Sequence, residues 1–405
     1  MTYVAFIVSL IIPLLILGPF FPDLIVSLSS LVFLIYVFRD KLFFYFNKKP
    51  LIIFFIFCIY CILVSIFVAK DVLLSFESSL FYFRIGVFSC LIWFLLEQDK
   101  KILNYFYYAL VISFLALIID GYIQFFTGTN ILGFPKTGVR ISSFFGDELI
   151  LGSYLSRLFP LLFALFVLKD KKKLELYFMI LFFVLLSGLV LIIGERAAFA
   201  FYCLSFLFIC IFMKGYVKSR IALSAFSIIV VIIIISSFDQ VKNRMVSQEA
   251  STITKSIFTP EHDSLIRTAY NMFLDKPLVG HGPKMFRVIC KDEKYAVGIT
   301  PCMTSPHNFY VQLLAETGII GFSFLFSAFA YVLYCAYRQL KSIVLRQKRY
   351  LTDYQVCLLA GILITVWPLT TNGNFFHNWL MIVYSLSVGF YLHSIYGKNR
   401  DNISF

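Results

Sequence analysis

LIIFFIFCIYCILVSIFV, residues 51–68, runs the length of a bilayer crossing without one charged side chain. A membrane-spanning helix needs roughly 20 predominantly apolar residues, and this stretch has no polar face to present to water. Basic residues stand just before it, at Arg39, Lys41, Lys48 and Lys49. The same alternation of an uncharged run with a short basic connection repeats along the chain in both directions.

Applied throughout, the length rule predicts spans near 3–21, 24–38, 51–68, 78–96, 102–126, 148–168, 176–194, 196–213, 220–237, 307–337, 353–371 and 376–396. The second is short enough to tilt or to be partly re-entrant. Composition agrees: 60% of the 405 residues are hydrophobic and 14% charged, with 49 Phe and 24 Tyr, and the mean hydropathy is +0.88. A water-soluble fold could not enclose that much apolar surface. The net charge of +13 sits in short connections rather than along one helix face, which argues against nucleic acid as a partner.

Alternate connections carry the basic residues: the group before residue 51; Lys100 and Lys101; Lys169 and Lys171 to Lys173; Lys214, Lys218 and Arg220; Arg338 to Arg349; then Lys398 and Arg400. By the positive-inside rule these are cytoplasmic, with both termini inside. The reading is an all-α integral membrane protein of about twelve transmembrane helices with one long loop, between spans nine and ten, on the face opposite the cytoplasm, which is the periplasmic one if the host is a Gram-negative bacterium. Residues 1–237 hold spans one to nine, 238–306 the loop, 307–396 spans ten to twelve, and 397–405 a cytoplasmic tail. Loops longer than roughly 60 residues largely escape the charge rule, so the basic residues of 238–306 do not disturb the topology.

Cys290 and Cys302 are the only cysteines of that loop. A disulfide is expected if the compartment is oxidising, two free thiols being the alternative. "SLIRTAYNMFL" spaces Leu265, Ala269, Met272 and Phe273 as an amphipathic helix on the membrane surface, ended by Pro277 and a turn at Gly280 to Gly282. Where the chain re-enters the membrane, Ser305 can cap a helix and Pro306 begin it, which places His307 in the opening turn. The helix dipole there disfavours imidazolium and leaves a base, although a loop histidine can also be merely solvated.

Arginines gather at the same face: Arg84 about two turns into span four, Arg140 in the connection before span six, Arg196 at the mouth of span eight, and Arg267 on the amphipathic helix. Guanidinium stays charged and presents a fork that fits phosphate oxygens, so an anionic ligand is expected. Arg196 has a competing account in its neighbour Glu195 and in snorkelling. Arg157 and Glu316 lie at similar depth and are read as an ion pair; Asp120 is a further base or a partner for an arginine. No HExxH or paired Cys/His spacing suggests a metal, and no cofactor is expected.

"HNFYVQLLAETGIIG", residues 307–321, resembles the motif of the O-antigen ligase and polymerase superfamily: His307 and Asn308, then Gly318 and Gly321 at the family's spacing. "GERAAF" with Arg196 and "LIRTAYNMFLDKPLVGHGPKMF" with Arg267 are similar to its recurring arginine segments, and "RISSFFGDELILGSYL" to the stretch before its sixth span. The resemblance implies a GT-C-like inner-membrane glycosyltransferase of lipopolysaccharide biosynthesis, inverting and metal-independent. It would transfer a glycan from undecaprenyl diphosphate to a hydroxyl of the lipid A core at the periplasmic face. His307 would be the general base; Arg196, Arg267, Arg84 and Arg140, with Asn308, would bind substrate; Gly318 and Gly321 would be structural. Other acceptors would make it a polysaccharide polymerase or a protein O-oligosaccharyltransferase. A flippase for the same lipid-linked glycan is the non-enzyme alternative.

Overall fold

The computed structural model describes residues 2–169, 173–247, 258–369 and 371–398, and the fold among them is all-helical. Among the described residues nine helices are long and apolar enough to cross a membrane. They are α2 (Phe20–Arg39), α3 (Lys49–Phe67), α4 (Val72–Gln98), α5 (Lys101–Thr127), α6 (Leu151–Leu168), α7 (Lys173–Ile192), α9 (Val217–Ser237), α12 (Phe309–Val344) and α14 (Asn378–Tyr396). Three shorter apolar helices, α1 (Thr2–Leu14), α8 (Arg196–Phe212) and α13 (Asp353–Thr365), stand where the other expected spans were placed. Among the described residues the long loop opens with a short helical stretch at 239–247 and then carries α10 (Pro260–Asp275) and the single turn α11 (Phe286–Ile289). The protein is thus a multi-pass helical membrane protein. Lys171, Lys172, Arg400 and most of the expected tail lie outside the described residues.

The bundle has a closed centre and an oily rim. α6 and α14 are buried along nearly their whole length, α6 against α8 and α13, and α14 against α4. On the rim, α2 exposes Leu28, Leu31, Ile35 and Phe38, and α9 exposes Ile228, Ile229, Ile232 and Ile233. Water would not tolerate such faces, whereas lipid tails cover them without loss.

Several helix ends depart from expectation: α1 stops at Leu14 rather than 21 and α12 runs on to Val344 rather than 337. α4 begins at Val72, capped by Asp71, rather than at 78. α13 stops at Thr365 instead of 371, because Pro368 disfavours helical backbone before it and the following chain is polar.

The loop is a small folded unit resting on α12, and this corrects the reading of α10 as a helix lying on the membrane surface. Leu265, Ala269 and Met272 of α10 form an apolar core with Met285, Phe286, Ile289, Cys290, Tyr295 and, from α12, Ala315. The stripe that was expected to face lipid faces protein instead. Cys290 and Cys302 are joined by a disulfide, their Cα atoms 5.0 Å apart.

α12 is interrupted at Gly318, whose φ of 64° is left-handed. The turn at 277–282 lies in the break. The N–H of Ile319 donates to the carbonyl of Pro277 (2.9 Å), while those of His281 and Gly282 donate to the carbonyls of Ala315 (3.0 Å) and Glu316 (2.7 Å). A Cβ on Gly318 would collide with the backbone of Leu278, and one on Gly280 with that of Glu316. These glycines are where two main chains touch.

Candidate active site

The connection between α5 and α6 is fixed from below by buried polar side chains. Asp120 accepts hydrogen bonds from the N–H of Ile131 (2.8 Å) and the hydroxyl of Ser143, and Gln124 accepts the N–H groups of Ser142 and Ser143. Asp120 is therefore neither a free base nor an arginine's partner. Its work carries Arg140 to the turn between α7 and α8, where the Ile141 N–H meets the carbonyl of Ile193 (3.4 Å).

That turn is the hub of a cationic cluster. The side chains of Arg140 and Arg244 both pass Gly194, each with its Cγ 3.7 Å from where a Cβ would stand. Arg196 opens α8 immediately after, and the Nε–H of Arg244 donates to the carbonyl of Gly194 (3.3 Å). Burial, together with the charges of Arg196 and Arg140, pulls the Arg244 guanidinium below its ordinary value. Like charges held this close favour an anion among them.

The carboxylate of Glu195 offsets part of that charge. It lies 4.0 Å from Arg140 Nη2 and is admitted to the start of α6 by the absence of a side chain at Gly152. Burial raises its pKa, against the pull of Arg140 and Arg157. The Nε of Arg140 and the Nη1 of Arg157 are buried without a hydrogen-bond partner. Unmade donors of this kind are rare in folded proteins and mark a place for an acceptor.

His307 is joined to this cluster through Asn372 and His262. The helix it precedes is capped by Asn308, not Ser305: the Asn308 carboxamide oxygen accepts the N–H groups of Tyr310 (3.0 Å) and Val311 (3.2 Å). His307 takes a left-handed φ of 55°, so no helix can run through it from Pro306, and it stands just outside the first turn instead of inside it. Ser305 is buried with its hydroxyl unpartnered. The NH2 group of Asn308 donates to the Pro368 carbonyl (2.8 Å), so this side chain is a cap and a strut where contact with substrate had been expected.

Nδ1 of His307 is 3.2 Å from the carbonyl of Asn372, and the His307 carbonyl accepts the Asn372 N–H at 2.7 Å. A ring nitrogen that faces a carbonyl must carry the proton, which leaves Nε2 as the acceptor of the neutral ring. Burial holds the imidazole below its ordinary value of 6.5, opposed by the bond to Asn372. The ring of His262 meets that of His307 edge to face at 5.8 Å, and its own pKa is lowered by burial and by the nearby charges of His307 and Arg196. Asn372 also reaches the other way: its Oδ1 accepts from Arg157 Nη2 at 2.8 Å.

Arg157 and Glu316 are not paired with each other. Arg157 lies over the rings of Phe201 and Tyr384, whereas Glu316 accepts from the backbone N–H of Phe286 (3.1 Å) and the side chain of Gln312 (2.9 Å). Arg84 is committed to Asp23 and to Ser27 (2.7 Å) on α2. Arg267 is exposed, 3.7 Å from Asp263. Neither joins the cluster around Gly194. Arg244, His262 and Asn372 complete it and had not been singled out in the sequence. The signal for Arg244 was its place at the mouth of α9, mirroring Arg196; that for Asn372 was a polar "TNGN" in an otherwise apolar chain. Among the described residues no three His, Cys, Asp or Glu side chains are grouped to hold a metal ion.

A multi-pass helical membrane protein that sets a half-buried histidine near several guanidinium groups has the chemistry to hold an anionic ligand there. Residues 152–326 match the family model described as O-antigen ligase, so this part of the chain is similar to that family. The matched stretch includes Arg157, Arg196, Arg244, His262 and His307 but neither Arg140 nor Asn372. No curated protein matches the chain.

Proposed function

We propose that the protein is an O-antigen ligase of the inner membrane, moving a glycan from undecaprenyl diphosphate to a hydroxyl of the lipid A core at the periplasmic face. Nε2 of His307 takes the acceptor proton as the hydroxyl oxygen attacks the anomeric carbon. The bond from that carbon to the diphosphate breaks with inversion, and undecaprenyl diphosphate leaves carrying the negative charge. Arg140, Arg157, Arg196 and Arg244 hold the diphosphate, and such preorganised charge is commonly the larger part of catalysis. The observation that carries the reading is the histidine whose Nδ1 is fixed on Asn372 while Asn372 is bound to an arginine with an unmet donor.

The test is transfer in proteoliposomes supplied with undecaprenyl diphosphate-linked glycan and lipid A core acceptor. The wild type forms the conjugate and releases undecaprenyl diphosphate. His307→Ala loses activity by a factor of about 10² or more, the usual worth of a general base, while inserting and eluting as the wild type does. Full transfer by that variant would overturn the assignment. Product formed only with a second lipid-linked glycan, or only with a serine-bearing protein acceptor, would reassign the enzyme as a polymerase or a protein O-oligosaccharyltransferase.

A further inference from the structure

At the end of α12 remote from His307 the fold encloses a second polar site. Beyond its break at Gly318, α12 runs on to Val344, a rise of roughly 40 Å at the α-helical pitch, so its far end lies on the bilayer face opposite the break. A cavity of about 920 Å³ opens there between the last turns of α12, the chain at 345–352, the start of α13 and the end of α14. Lys214, Arg346, Lys348 and Arg349 stand in its wall. The one carboxylate among them, Asp353, already accepts the backbone N–H groups of Lys214 and Gly215 at 2.7 Å each. Four cations therefore face a single occupied anion.

Two buried donors in the same wall are unmet. Tyr354 is 4% exposed and its hydroxyl has no partner; Nη1 of Arg349 is likewise buried and unpaired. The wall is built rather than left over from loose packing. Gln339, 1% exposed, donates to the carbonyls of Phe212 (3.0 Å) and Leu351 (3.4 Å) and accepts the Leu351 N–H (2.8 Å), tying α8, α12 and the connection together.

We infer that this cavity binds the phosphate of an anionic phospholipid from the leaflet opposite the His307 face. Arg349, Lys348 and the hydroxyl of Tyr354 take the phosphate oxygens. The shape favours a lipid over a soluble phosphate. The lining continues up α12 to Tyr331, roughly 20 Å before Arg346 along the helix, which is room for a glycerol unit and the start of an acyl chain. A free phosphate needs only the rim. Basic pockets between transmembrane helices are the usual form of such sites.

Native mass spectrometry of the purified full-length protein tests this, with phosphatidylglycerol, phosphatidylcholine of the same chains, and glycerol 3-phosphate offered in turn. Phosphatidylglycerol should be retained over phosphatidylcholine, and retention should fall about fivefold for each of Lys348→Gln and Arg349→Gln, the worth of one cation near an anionic lipid. Tyr354→Phe removes one oxygen and leaves packing intact, and it too should lower retention. Equal retention of both lipids, or unchanged retention in all three variants, overturns the site. Displacement of phosphatidylglycerol by glycerol 3-phosphate at equal concentration overturns the lipid as its source.

Discussion

Asn372 joins the base to the cationic cluster, since its carbonyl orients His307 and its carboxamide holds Arg157. Asn372→Ala keeps the backbone pairing with His307 but frees the segment from Arg157, a charge-assisted bond worth about 1.5–3 kcal/mol. The rate of transfer should fall roughly tenfold or more by that measure, with little change in the donor KM. The pH profile separates positioning from bulk. Burial lowers the pKa of His307 and the bond to Asn372 raises it. In the wild type the base stays deprotonated as pH falls to its ordinary 6.5, so activity is lost only below that value. In Asn372→Ala the loosened bond should move the acid limb lower still. An acid limb at or above 6.5 in the wild type would contradict the half-buried base, and an unmoved limb in the variant would reduce Asn372 to packing. Sequence could not supply this partner. Depth along a span is readable from residue count, but the direction a side chain takes around its helix depends on the neighbours. Arg157 and Glu316 share a depth and face different partners, and Arg84 turns to Asp23 on α2.

The break in α12 is the element on which the loop and the bundle meet. Gly318 holds a left-handed φ with the backbone of Leu278 against it, whereas Gly321 is crowded only by the side chain of Thr317, four residues earlier on its own helix. Gly318→Ala should therefore cost on the order of 2–4 kcal/mol, combining left-handed strain with overpacking. Gly321→Ala should cost less, because it brings overpacking against Thr317 alone, with no left-handed strain and no second main chain in the way. Thermal unfolding of the two purified variants ranks them, and equal Tm values would refute the backbone contact as the reason for Gly318. The spans were legible in the sequence because apolar length alone defines them. The break was not, because glycine is common in membrane helices and only the turn at 277–282 makes this one necessary. The same holds for α10: its apolar stripe was readable, but a stripe can meet lipid or protein equally well, and Met285, Phe286 and Ala315 decided the matter.

Across the whole molecule, the membrane bundle and the loop fold have separate cores, joined through α12 and the segment that presents His307. This division implies that the loop can open while the bundle stays closed. The disulfide between Cys290 and Cys302 spans a sequence separation of 12 residues and sits at the edge of the smaller core. Closing a loop of that size stabilises by about 3 kcal/mol in the chain-entropy account, a large share of what so small a core can supply. Reduction should therefore raise protease cleavage within residues 258–306 by about two orders of magnitude if cleavage follows local opening. The same treatment should leave the helices of the bundle uncut and lower transfer, because the chain that carries His307 is then held only by α12 and the Asn372 segment. Limited proteolysis with mass mapping, run with and without reductant on the reconstituted protein, measures both effects. Equal cleavage in the two samples would show that the α10 core closes the loop unaided. Cleavage spreading into α6 or α14 would show instead that loop and bundle unfold as one unit.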